Sequence, residues 1–82
     1  MDFKQKIESI AIRNKFWFSI KNMSDSDLLD FLKEDIFECD NFNLSFEEVK
    51  RNCEKSLGKS LDNMISLNDQ KELYRILQEH KF

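Results

Sequence analysis

The chain has 82 residues, 40% hydrophobic and 35% charged, with a net charge of −3. That length holds one domain, and the balance is that of a folded soluble protein, not a disordered or fibrous one. The absence of proline and the single glycine, Gly58, exclude the many tight turns of a β-sandwich or barrel, and no apolar run approaches the roughly 20 residues that span a bilayer.

The first segment opens at Asp2, which with Gln5 three residues on forms a weak helix-start signal. Phe3, Ile7, Ile10, Ala11, Trp17 and Phe18 fall on one helical stripe, with Asn14 in its middle. Ile12, Phe16 and Ile20 fall on a second stripe on the opposite side. A helix apolar on two sides must be buried on both, by its own domain or by another chain. The pattern therefore predicts a helix that includes residues 16–20, and a homodimer is one way to cover its second side. A strand over residues 16–20 competes, because aromatic residues favour strands. No second strand is visible to pair its amides.

The second segment starts at Ser24-Asp25-Ser26-Asp27, a capping serine with an acid three residues on. Met23 and Leu28 have the spacing of a hydrophobic staple across that start. Leu28, Leu29, Leu32, Ile36 and Cys39 then share a stripe, while Phe31 and Phe37 lie outside it on different sides. Ser45-Phe46-Glu47-Glu48 repeats the start, with Leu44 and Val49 as its staple. It predicts a helix over residues 46–57 carrying Phe46, Val49, Cys53 and Leu57, stopped by a left-handed Gly58. Ser60 opens a short turn with Leu61, Met64 and Ile65. Ser66 or Asn68 caps a last helix with Leu73, Ile76, Leu77 and His80 on one side and Tyr74 at its border. The predicted fold is all-α, a compact single domain over residues 1–82 with about four helices and an extra turn near 61–65.

Charge is unevenly placed: residues 1–22 carry +3, residues 23–48 carry −8 and residues 49–82 carry +2. The acidic middle reads either as a solvated helix face or as a surface that steers a basic partner.

The sequence offers little chemistry. Gly58-Lys59-Ser60 resembles the end of a phosphate-binding loop, but the glycine required five residues earlier is Cys53. Cys39, Cys53 and His80 lack the close spacing of a structural zinc site. Both cysteines lie on apolar stripes and read as reduced core thiols of a cytoplasmic protein, since the first 22 residues are charged throughout and form no signal peptide. No nucleophile has a marked base beside it. The expectation is a non-enzyme without cofactor or metal. A helix-turn-helix would read DNA with Lys50, Arg51 and Lys55, but Glu47, Glu48 and Glu54 interleave them and the preceding helix is acidic, which argues against direct nucleic-acid binding. Lys4, Lys6, Arg13, Lys15 and Lys21 surround the first helix instead of gathering on one face, which argues against stable membrane insertion.

Two features point to protein binding. Phe16, Trp17, Phe18 and Ile20 supply the aromatic and aliphatic anchors enriched at interface centres. Asp27, Asp30, Glu34 and Asp35 supply an acidic face. Together they predict a partner-binding surface for another protein, basic and partly apolar.

The opening Met1-Asp2-Phe3-Lys4-Gln5-Lys6-Ile7-Glu8 to Asn22, the length of 82 and the Lys/Asn/Phe/Ile-rich usage resemble small early proteins of T-even bacteriophages, and among them the rapid-lysis cytoplasmic antiholins. The resemblance implies a protein of the infected cell that binds the soluble part of a membrane holin and delays pore formation. It carries no functional residue over. The alternative is a small acidic immunity or inhibitor protein whose carboxylates imitate phosphates and block a basic nuclease.

Overall fold

The computed structural model describes residues 2–39, 42–58 and 60–80, so Met1 and Lys59 of the strings above lie outside it. Helix α1 is Phe3–Arg13 and α2 is the single turn Trp17–Ile20. Helix α3, Asp25–Phe31, runs on into a π-helical turn, Leu32–Ile36. Helix α4 is Phe46–Leu57, a 3₁₀ turn spans Leu61–Asn63, and α5 is Leu67–Glu79. The fold is all-α, with no strand among the described residues, and residues 17–20 are helical. A Cα radius of gyration of 11.8 Å is that of a closely packed chain of this length.

Local capping chemistry sets the starts. Ser24, Ser45 and Ser66 accept hydrogen bonds from the amides of Asp27, Glu48 and Asp69. Ser66 rather than Asn68 therefore begins α5. The weaker-looking Asp2 and Gln5 pair closes in both directions, at 2.8 and 3.2 Å. Gly58, at φ 71°, ends α4 in the left-handed conformation that glycine adopts without steric cost.

The first segment is not one helix. The Phe16 amide donates to the Ala11 carbonyl at 2.9 Å and the Lys15 amide to that of Ile12 at 3.4 Å, which closes α1 in a Schellman turn. Lys15 takes the left-handed position, at φ 63°. The two opposite stripes are thereby broken up: Ile7, Ile10, Ala11 and Ile20 enter the core, whereas Ile12 is 63% exposed. Asn14, which interrupts the stripe in sequence, is a joint. Its amide nitrogen donates to the Ile10 carbonyl and to Asp69 Oδ2, each at 2.8 Å, and its Oδ1 accepts the Ser66 amide at 3.0 Å. One side chain thus ends α1 and ties it to the start of α5.

The core joins Ile7 and Ile10 to Leu28, Leu32, Ile36, Val49, Leu61, Ile65, Leu73 and Leu77. Each large aliphatic side chain hidden this way stabilises the fold by about 1.5–3 kcal/mol. Phe37, outside the stripe by the 3.6-residue period, is fully buried. The π turn is the reason. The Phe37 amide donates to the Leu32 carbonyl at 3.0 Å, one residue further back than in an α-helix, so Phe37 follows Leu32 along the core side. Its ring meets Tyr74 edge-on at 5.6 Å, and Phe42 and Phe46 lie 5.6 and 6.0 Å from the same tyrosine. The Tyr74 hydroxyl donates to the Leu44 carbonyl at 2.6 Å, fastening the chain before α4 onto α5.

Charged groups finish the α1, α4 and α5 side. Arg13 Nη2 meets Asp69 Oδ1 at 2.8 Å. Asp62 Oδ1 accepts from Lys50 at 2.7 Å and from the buried Gln70 amide at 2.6 Å. Glu54 caps the 3₁₀ turn by accepting the Leu61 amide at 2.6 Å and the Ser60 hydroxyl at 3.1 Å. Arg75 spans Glu72 and Glu79.

Candidate protein-docking site

The four apolar anchors expected at an interface go to three places. Ile20 is fully enclosed in the core, because α2 is one short turn whose last residue faces inward, and it is removed from the surface. Trp17 turns toward α1: its indole Nε1 donates to Glu8 Oε2 at 3.1 Å. Phe18 is 78% exposed and packs edge-on against Trp17, with ring centres 5.3 Å apart. The Lys21 ammonium lies 5.7 Å from the Trp17 ring and 5.1 Å from the Phe18 ring, a cation–π arrangement that covers part of this patch from within the chain.

Phe16 turns the other way. It leaves the Schellman turn half-buried, packed against the core, with its ring 6.5 Å from that of Phe31. Two adjoining depressions, of ≈ 420 Å³ and ≈ 390 Å³, share Phe16, Leu57 and Met64 as walls. They make one apolar trough. At one end it is lined by Asn14, Lys15 and Asn63. At the other it is lined by Ser19, Phe31, Asp35 and Ile36. Four elements build it: the start of α2, the α3 and π-turn ridge, the last residue of α4, and the residue after the 3₁₀ turn. Met64 is 38% exposed there. A water-facing methionine beside aromatic rings is an adaptable contact surface for another apolar side chain.

Asp35 therefore meets Phe16 in one trough, bringing together the aromatic and acidic features of the sequence. Asp27 lies one helical turn before Phe31 on the same face of α3. Asp30 and Glu34 are exposed on the same segment. None of these four carboxylates has an ion-pair partner among the described residues. Trp17 and Phe18 stand apart from them on the separate patch beside α1. Phe31, Leu57 and Met64 complete the trough without having been singled out as interface residues. Phe31 carried a signal, as a phenylalanine off its helix's stripe; Leu57 read as the end of a core stripe and Met64 as a turn residue.

Cys53 is a core thiol and Cys39 is half-buried. Burial, reinforced by Glu38, Glu54 and Cys39, pushes the Cys53 thiol up to about 11. Its Sγ donates to the Ile36 carbonyl at 2.8 Å, as a core side chain does. No helix among the described residues is long and apolar enough to cross a membrane.

No family model, curated protein or solved structure matches the chain, so the trough and its acidic flank are the ground for a functional reading.

Proposed function

We propose that the chain is a non-enzymatic protein-binding regulator that works by occupying a basic, partly apolar segment of another protein. One observation carries this reading: an open apolar trough runs beside carboxylates that have no ion-pair partner among the described residues. Apolar burial supplies affinity at such a surface, while the charges steer encounter and reject acidic competitors. The same charges repel nucleic-acid phosphates.

In the form implied by the phage resemblance, the captured segment belongs to the soluble part of a holin. Binding then holds the holin in a state that does not assemble, a population shift through differential affinity. Co-expression with an inducible phage holin tests this form. Lysis is delayed by the wild-type chain, and the delay disappears with Met64→Lys but only shortens with Asp27, Asp30 and Asp35 changed together to Asn. An unchanged lysis time with the wild-type chain removes the antiholin form.

The inhibitor of a basic nuclease remains the second reading, favoured by the same exposed acids. It requires the reverse order of effects. The triple acidic change abolishes inhibition, Met64→Lys leaves it largely intact, and the association rate falls steeply with salt.

A further inference from the structure

We infer that the trough receives one amphipathic helix of the partner, with the helix's cationic N-terminal end at Asp35. This rests on the proposed binding function and adds the kind of segment and its direction. Three observations carry it. The two depressions adjoin along Phe16, Leu57 and Met64, so apolar side chains lie between the two ends. Helices and turns border it, and no strand exists among the described residues. An extended peptide would therefore find no sheet edge to pair with, whereas a helix lays its apolar face into such a groove without needing backbone partners. Finally, the ends differ in charge. Lys15 lines one and Asp35 the other, and neither has an ion-pair partner among the described residues.

The end charges set direction. A helix carries partial positive charge at its N-terminus and partial negative charge at its C-terminus. Asp35, reinforced by Asp27 one turn before Phe31, attracts the N-terminal end and any lysine or arginine there. Lys15 attracts the C-terminal end. Its backbone is set by the Schellman turn, in which its amide donates to the Ile12 carbonyl, so the lysine leaves the chain at that end of the trough.

The test uses the full chain and a synthetic Lys/Leu amphipathic peptide of about 15 residues, long enough to form a marginal helix in water. The peptide carries a spin label at one end or the other. Amide signals of the chain are followed by NMR, with peptide up to about 1 mM to include weak binding. The expected result is broadening around Phe31 and Asp35 from the N-terminal label, and around Lys15 and Asn63 from the C-terminal label. Asp35→Lys, an exposed change that leaves the helical circular dichroism intact, weakens binding about tenfold. Reversed broadening overturns the direction. Binding that instead broadens Trp17 and Phe18, and that ignores Asp35→Lys, overturns the trough while sparing the proposed function. Signals at Met64 that shift with the free chain's own concentration assign the trough to a second copy and overturn the inference. No binding at all overturns the inference, while the lysis-delay assay decides the function beneath it.

Discussion

The α1, α4 and α5 side and the α3 side of this small domain treat charge in opposite ways. On the first, Arg13, Lys50 and Arg75 each meet a carboxylate; Asn14 and Ser66 join the Arg13–Asp69 pair, and Gln70 joins the Lys50–Asp62 pair. On the second, Asp27, Asp30, Glu34 and Asp35 stand exposed without an ion-pair partner among the described residues, beside a trough of apolar side chains. Surface ion pairs stabilise a fold only weakly one by one, but hydrogen-bonded networks fix how helices meet. The first face holds the domain's geometry. The second leaves its charges available to another molecule.

The largest effect comes from undermining what carries the acidic segment. Phe37→Ala removes the buried ring that locks the π turn against Tyr74, and destabilises the chain by about 3–5 kcal/mol in urea unfolding. Next is the joint on the paired face. Asn14→Ala removes the acceptor of the Ser66 amide and a donor to Asp69, costing about 2 kcal/mol by the same measurement.

Acid probes the same joint without mutation. Hydrogen bonding from the Arg13 guanidinium, aided by Asn14 and Ser66 and opposed by partial burial, holds the Asp69 carboxyl at about 2, below its ordinary 3.8. A carboxyl depressed on folding stabilises the native state above its unfolded value. That contribution is present above about pH 4 and is lost as pH falls toward about 2. The urea midpoint of the wild type therefore drops more steeply across this window than that of Asp69→Asn. Equal slopes would falsify the assignment.

The smallest effect sharpens the contrast most. Changing Asp27, Asp30 and Asp35 to Asn shifts stability by no more than about 0.5 kcal/mol per site, as surface positions do. A larger loss would show that these acids belong to the fold and not to a partner.

How much of this was legible follows the range of the interactions. Helix α4 was readable at both ends, because Ser45 and Gly58 act within a turn of their own positions. The break after α1 was not, because a lysine rather than a glycine occupies its left-handed residue. The π turn has no residue signature, so the ordinary helical period put Phe37 on the wrong side. The trough was unreadable for a different reason: residues 16, 31, 57 and 64 meet only once the chain is folded. The sequence supplied two of its ingredients, Phe16 and Asp35, without showing that they adjoin.

The widened turn at Leu32–Ile36 has a consequence for how this chain tolerates length change. Removing Glu34 would bring Phe37 within ordinary α spacing of Leu32 and keep Ile36 on the inward side. The interior would register little difference, while the outward carboxylates would swing around the axis relative to Phe16. A shortened variant of this kind would fold much as the parent does yet present a rearranged face, which separates the inheritance of shape from the inheritance of recognition.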